Sequence, residues 1–286
     1  MEKAILRTLI YADIFDYPLK AWEIHKWLIG KKTSLSQIDK ALRKLSKKSE
    51  VRNQKEYYFL PGRQGIVKKR IEKAKKSNNY LFQSKLIAYL FKLIPWINLV
   101  GVSGSLAMKN AGKKDDIDLF IVTEDNRIWL SRILILGILG FVGKRRKVTD
   151  SKNNAAGKVC INLLLENDDL AQNNKNIYVA HEILQMQILW QRDSSYNKYL
   201  IDNSWALNIL PNWFSTVSSN YKHLKSKGKL QNNMINILEY LVKRLQLRYM
   251  SSPKGLERVT STALYFHPEN YQQKVLKEYK KRINRL

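Results

Sequence analysis

The stretch Asn98–Thr123, NLVGVSGSLAMKNAGKKDDIDLFIVT, decides the fold that the sequence predicts. Its apolar start, Leu99–Val102, predicts a strand that ends in a Ser-Gly-Ser turn. A short helical segment, Leu106–Asn110, and a polar turn lead to a second strand that begins at Asp116. This order of strand, turn, helix and strand indicates a core of mixed α/β type.

Two acidic residues open the second predicted strand. Side chains alternate between the faces of a strand, so Asp116 and Asp118 share one face. Their carboxylates repel each other unless a divalent cation lies between them, and Mg²⁺ accepts carboxylate and phosphate oxygens. Gly104 allows a ligand to approach the backbone, and Ser105 can cap the next helix, whose N-terminus attracts phosphate. The pattern therefore indicates a metal and phosphate site.

This stretch resembles the signature of the nucleotidyltransferase superfamily that includes DNA polymerase beta. The signature has an apolar residue, then Gly-Gly or Gly-Ser, a spacer, and then Asp, an apolar residue, Asp or Glu, and an apolar residue. The matching residues here are Ser103-Gly104-Ser105 and Asp116-Ile117-Asp118-Leu119, and Ser103 departs from the apolar preference. A surface turn followed by a strand with merely solvated Asp side chains is the alternative interpretation.

The resemblance implies a reaction and a set of roles. A nucleoside monophosphate would pass from an NTP, the substrate, to a hydroxyl acceptor that the sequence does not identify. Asp116 and Asp118 would hold Mg²⁺ or Mn²⁺. The residues expected to bind or neutralise the triphosphate are Ser103, Gly104, Ser105 and Lys109, with Lys113 or Lys114 as further cations.

A third core strand is predicted over Lys158–Glu166, KVCINLLLE. In the resembled family this strand usually carries a third carboxylate, the base that deprotonates the attacking hydroxyl. The plausible position here holds Asn162, and an amide cannot take that proton. Asp150 and Glu166 are the two alternatives for the base.

The domain organisation follows from apolar periodicity and from the positions of Pro and Gly. We expect an α/β nucleotidyltransferase core, a short mixed sheet with helices, between an N-terminal winged helix and a C-terminal helical region. The expected units are a winged-helix-like domain at 1–62, a basic connecting helix at 63–95, the core at 96–170 and the helical region at 171–286. This order also resembles uncharacterised bacterial proteins that carry a nucleotidyltransferase domain.

The individual helices expected around the three core strands follow the same periodicity. A crossover helix is expected at Asn126–Val142, between the second and third core strands. In the C-terminal region, the main helices are expected at Ile177–Trp190, Leu230–Met250 and Gln272–Ile283.

Composition indicates the class of partner. The formal net charge is +27, which favours a polyanionic partner and nucleic acid before a membrane surface. The apolar run Ile128–Val142 is too short for a membrane span and contains Arg132. A single cysteine, Cys160, excludes an internal disulfide and is typical of a cytoplasmic protein. The sequence leaves the oligomeric state open.

One alternative function comes from a different class. The chain would then be a winged-helix nucleic-acid-binding regulator whose core senses a nucleotide or has lost catalysis. The intact pair Asp116 and Asp118 favours the enzyme, whereas Asn162 and the N-terminal domain favour the regulator.

Overall fold

The computed structural model describes residues 1–147, 150–151, 154–213, 233–250, 258–266 and 269–286. Within these residues the protein is of mixed α/β type. Its helices are α1 (Glu2–Asp13), α2 (Ala21–Lys26), α3 (Leu35–Lys47), α4 (Gly65–Phe91), α5 (Gly104–Ala107), α6 (Ile128–Phe141), α7 (Ile177–Gln185), α8 (Ser195–Asp202), α9 (Ala206–Ile209), α10 (Asn233–Met250) and α11 (Glu269–Ile283). Its strands are β1 (Leu19–Lys20), β2 (Arg52–Gln54), β3 (Tyr57–Phe59), β4 (Ile97–Val102), β5 (Ile117–Thr123), β6 (Val159–Glu166), β7 (Gln187–Gln191), β8 (Arg258–Val259) and β9 (Ala263–Tyr265).

The N-terminal part contains the helices α1, α2 and α3 and a hairpin formed by β2 and β3. Strands β2 and β3 pair antiparallel, and β1 adds to β3 in the order β1-β3-β2. The hairpin turn at Lys55 and Glu56 has positive φ at both residues, as the right-handed twist of the flanking strands favours. Helix α3 starts at a capping box formed by Ser34 and Gln37 and buries one apolar face.

The larger sheet has six strands in the order β7-β4-β5-β6-β9-β8. Strands β5 and β6 are parallel, and the crossover between them is α6, the helix predicted there. Strands β4 and β5 are antiparallel. Helix α6 has 14 residues, and no helix of the described chain is long and apolar enough to cross a membrane.

Each face of this sheet packs against a separate hydrophobic core. On one face, Leu119 and Ile121 pack with residues of α4 and α6, among them Phe91 and Trp129. On the other face, Phe120 packs in a core shared by α7, α9 and the N-terminal helices. Asp118 and Phe120 lie on the same face of β5, because alternate residues of a strand share a face. The second core therefore joins the N-terminal part to the face of the sheet that carries Asp118.

The C-terminal region is not purely helical, which corrects the prediction. The helix predicted over Ile177–Trp190 ends at Gln185, and β7 continues as an edge strand paired with β4. Met186 takes an extended conformation between them. Strands β8 and β9 extend the opposite edge beside β6. Apolar periodicity cannot reveal these pairings, because they depend on hydrogen bonds between distant segments.

Other boundaries differ by smaller amounts. Strand β5 begins at Ile117, so Asp116 lies just before it, and α5 spans Gly104–Ala107 rather than Leu106–Asn110. The start predicted at Leu230 for the long C-terminal helix lies outside the described residues.

Candidate active site

Two carboxylates and one thiol converge where β5 begins. Asp118 pairs with Cys160 across the parallel strands β5 and β6. One ligand atom from each of Asp116, Asp118 and Cys160 lies within 4.8 Å of the other two. Burial, reinforced by the neighbouring carboxylate of Asp116, raises the pKa of Asp118 well above its ordinary value. A divalent cation would relieve this repulsion, so the donor set fits a metal ion.

Arg146 is the charge partner of this cluster. Its guanidinium forms an ion pair with the carboxylate of Asp116. Cys160 is half-buried, and burial together with the two carboxylates raises the pKa of its thiol to about 12. Arg146 lies in the basic run after α6, and Cys160 lies in the third core strand. The sequence analysis assigned neither residue a role in the site.

The backbone of Gly104 lies against the carboxylate of Asp118. The φ of Gly104 is +61°, and a β-carbon added to it would lie 2.8 Å from Oδ2 of Asp118. The backbone N–H of Ser103 donates to the carbonyl oxygen of Asp118 at 3.0 Å and fixes the turn against β5. Only glycine therefore fits this position without displacing the carboxylate.

The predicted cap at Ser105 is wrong. The residue that precedes α5 is Ser103, and its side chain makes no capping hydrogen bond. Ser105 instead donates from Oγ to Oδ2 of Asp115 at 3.2 Å. Because α5 has only four residues, its dipole contributes little to anion binding. Phosphate would meet the glycine turn itself.

Lys109 lies away from the carboxylates. Its side chain is exposed, its φ is +53°, and its carbonyl oxygen accepts a hydrogen bond from Arg70 at 3.1 Å. It does not line either of the cavities described below. The structure therefore shows Lys109 as a turn residue, and phosphate contact by its ammonium group remains a prediction.

Asn162 is buried and faces Ser103. Its Nδ2 donates to Oγ of Ser103 at 3.0 Å. Cys160 is the residue opposite Asp118, and the register shift after Leu119 makes Leu163, not Asn162, the residue opposite Phe120. The geometry thus gives Cys160 the strand position that the sequence analysis assigned to Asn162.

The two alternative bases lie elsewhere. Asp150 forms an ion pair with Lys158 at 3.1 Å, and hydrogen bonds from Lys147 and Lys158 lower its pKa. Glu166 pairs with Thr123 at the far end of β5, five residues beyond Asp118, a distance of roughly 17 Å along a strand. Burial raises the pKa of Glu166. Neither carboxylate belongs to the cluster of Asp116, Asp118 and Cys160.

Glu182 of α7 is the acidic residue that the sequence analysis missed as a site residue. Burial raises the pKa of its carboxyl group to about 7, although hydrogen bonds from Gly104 N–H and from Gln185 oppose the rise. The side-chain amide of Gln185 donates to Oε1 of Glu182 at 2.5 Å. No local signal marks Glu182, since its position follows from the packing of α7 on the sheet.

Two cavities adjoin Glu182. The larger, of about 410 Å³, extends from Gly104 and Asp118 to the N-terminal helices. The smaller, of about 130 Å³, lies beside Ser103 and Asn162. Three residues line both cavities: Tyr178, Glu182 and Tyr271. Glu182 therefore faces both cavities.

Comparison with protein-family models and with curated proteins finds no match for this chain. The function has to be inferred from the geometry of the site.

Proposed function

We propose that the protein is a metal-dependent nucleotidyltransferase, which moves a nucleoside monophosphate from an NTP to a hydroxyl acceptor. The observation that carries the proposal is the contact between Gly104 and the carboxylate of Asp118 beside the Asp116–Asp118–Cys160 cluster. It joins a tightly packed backbone turn with two carboxylates suited to a cation, at one end of the 410 Å³ cavity. The resemblance of the stretch Asn98–Thr123 to the nucleotidyltransferase signature supports the same reaction.

Asp116 and Asp118 would hold the cation, because carboxylates are the hard ligands that Mg²⁺ or Mn²⁺ prefers. The thiol of Cys160, whose pKa is raised to about 12, would lie beside the cation as a neutral group. When bound, the cation would neutralise the triphosphate and polarise the phosphorus that is attacked. Before metal binding, Arg146 neutralises Asp116. Once the cation binds the carboxylate of Asp116 instead, the guanidinium of Arg146 would be free to donate to a phosphate oxygen.

Glu182 is our candidate for the general base. It lines both cavities and accepts a hydrogen bond from Gly104, so an acceptor hydroxyl bound in either cavity would lie near its carboxylate. An enclosed carboxyl group with a pKa of about 7 is well suited to accept a proton near neutral pH. This role would supply the base that Asn162 cannot provide.

We also propose that residues 1–62 form a winged helix that contacts nucleic acid. The chain order α1-β1-α2-α3-β2-β3 and the sheet order β1-β3-β2 support this interpretation. Helix α3 exposes several cations, namely Lys40, Arg43, Lys44 and Lys47. Nucleic-acid binding would serve either an enzyme that modifies nucleic acid or a regulator whose core only senses a nucleotide.

The test is metal-dependent binding and turnover. Titration calorimetry should show that Mn²⁺ or Mg²⁺ strengthens binding of an NTP to the wild-type chain, and pyrophosphate should be released when a cell extract supplies acceptors. Asp118→Asn should abolish both effects while circular dichroism stays unchanged. The matched control is Asp150→Asn, which removes a carboxylate outside the cluster and should retain both. Equal NTP affinity with and without metal in the wild-type chain would contradict the proposal.

A further inference from the structure

Three helices, α4, α6 and α10, cover one face of the larger sheet and pack against the same core. Glu239 of α10 accepts hydrogen bonds from the backbone N–H groups of Trp129 and Leu130 at the start of α6, at 2.8 and 2.9 Å. Just beyond the end of α6, Nζ of Lys144 donates to Oε1 of Gln83 on α4 at 2.9 Å. Helix α6 therefore lies between α4 and α10, and the outer sides of the three helices adjoin.

The outer sides of α4 and α6 carry exposed apolar residues. No charged side chain of α6 is exposed, and the whole of this helix is described. Phe141, its last residue, is 95 % exposed. In the second half of α4 and just beyond its end, exposed apolar side chains recur every three or four residues, which places them in one stripe. The exposed residues of the two segments include Phe82, Leu86, Tyr89, Leu93, Ile133, Leu134 and Phe141.

Helix α10 has apolar residues on both of its sides. Val242 and Leu247 pack against the core, and Nε2 of Gln246 donates to the carbonyl oxygen of Trp129 at 2.8 Å. A surface helix ordinarily carries polar residues on the side away from the core. Three further leucines of α10 are instead exposed, namely Leu238, Leu241 and Leu245. We call the exposed apolar residues of α4, α6 and α10 together the apolar face.

The exposed charges on and beside the apolar face are positive. Among the described residues of segments 82–93, 128–145 and 233–250, the only acidic side chain is that of Glu239, which is buried. The exposed cations include Lys85 and Lys92 on α4, Arg145 after α6 and Arg244 on α10. The surface therefore combines exposed apolar side chains with basic ones.

This combination distinguishes between classes of partner. Nucleic acid would pair with the cations, but its phosphates gain nothing from exposed Phe and Leu side chains. A two-fold contact with a second copy of the chain would place the apolar face against itself, where the cations would repel each other without an acidic partner. A bilayer with anionic lipids accepts apolar side chains at the boundary of its acyl chains and basic side chains at its headgroups.

We propose that the apolar face docks the protein on the surface of a membrane that contains anionic lipids. The outer side chains of α4, α6 and α10 enter the boundary between headgroups and acyl chains, and the cations pair with the headgroups. Docking of this kind holds helices in the plane of the membrane and needs no spanning segment. Net charge alone favours nucleic acid as the partner, whereas the apolar face depends on how the three helices pack.

The test uses the full chain and vesicles of phosphatidylcholine with or without phosphatidylserine. Cosedimentation should show stronger binding to the vesicles that contain phosphatidylserine. Phe82→Ser/Phe141→Ser should weaken this binding by about ten- to hundredfold, because two large apolar side chains no longer leave water. The matched control is Trp22→Ser/Ile201→Ser, which removes two exposed apolar side chains from other parts of the chain and should retain binding.

Two further variants complete the test. Lys85→Gln/Lys92→Gln should weaken binding to the anionic vesicles by about fivefold for each lysine. Phe141→Ser alone keeps the test decisive if the double variant does not fold, because a side chain that is 95 % exposed contributes little to packing. It should also bind the vesicles more weakly than the wild-type chain.

Three results would overturn the proposal. The first is equal vesicle binding by the wild-type chain and both Phe141 variants, because binding would then depend on net charge alone. The second is absence of binding to the anionic vesicles. The third is a dimer in sedimentation velocity that Phe82→Ser/Phe141→Ser dissociates, since the apolar face would then be the contact between two copies.

Discussion

A β-carbon placed on Gly104 would lie 2.8 Å from Oδ2 of Asp118. The carboxylate of Asp118 therefore fits against the backbone turn because Gly104 has no side chain. The positive φ of Gly104 adds a conformational requirement to this steric one.

Gly104→Ala should abolish metal-dependent NTP binding, because the new methyl group displaces the Asp118 carboxylate. The matched control is Gly62→Ala, which has a φ of +80° but would place its β-carbon in open space. Both variants should lose about 1–2 kcal/mol of unfolding free energy from backbone strain in thermal unfolding. Only Gly104→Ala should lose nucleotide binding in calorimetry, and equal binding by both variants would contradict the predicted clash.

Cys160→Asp should raise turnover more than Asn162→Asp. Cys160 is opposite Asp118, so a carboxylate there would join the cluster, whereas Asp at 162 would lose the hydrogen bond that Asn162 donates to Ser103. Because Glu182 is the proposed base, the gain would come from a third carboxylate ligand for the cation and should stay below the ~10²–10⁴-fold that a general base contributes. Pyrophosphate release under single-turnover conditions measures the gain. A larger gain for Asn162→Asp would mean that the third-strand position for a carboxylate is residue 162.

Glu182→Gln should lower turnover while NTP and metal affinities persist, because the amide cannot accept the proton of the acceptor hydroxyl. The loss should fall in the range of ~10²–10⁴-fold. Glu72→Gln, at an exposed position on α4, is the control and should retain full turnover. Unchanged turnover in Glu182→Gln would remove this residue from the mechanism.

The same variant should change the pH dependence of stability. The folded-state pKa of Glu182, about 7, lies above its ordinary value of 4.5, so the folded protein binds an extra proton between these limits. The contribution of Glu182 to the free energy of unfolding is complete below pH 4.5. As the pH rises through 7, this contribution falls by about 3 kcal/mol in all. Urea unfolding of metal-free protein should show this decline in the wild-type chain and in Glu72→Gln, but not in Glu182→Gln.

The double variant Arg43→Gln/Lys47→Gln should bind nucleic acid more weakly than the wild-type chain. Its affinity should also fall less steeply with salt concentration. Both residues are exposed on α3, and each phosphate contact on duplex DNA adds about 0.9 to the slope of log affinity against log salt. The control is Lys85→Gln with Lys92→Gln, which removes the same charge from the end of α4. Fluorescence anisotropy at several salt concentrations measures the slopes. Equal slopes for the two double variants would mean that α3 does not contact the phosphates.

The sequence alone determined the local part of the candidate site. Gly104 and Ser105 form a turn, and Asp116 and Asp118 lie on one side of a strand end, because turn chemistry and side-chain alternation depend on neighbouring residues. Apolar periodicity likewise predicted the crossover helix between β5 and β6.

Only the tertiary structure decided which residues complete the cluster. The register of β6 places Cys160 opposite Asp118, and the shift after Leu119 turns Asn162 toward Ser103. Glu182 and Arg146 reach the site from distant segments, and β7 forms where the sequence predicts helix because β4 offers an unpaired edge. Strand register and edge pairing depend on hydrogen bonds between segments far apart in the chain, which no local pattern encodes.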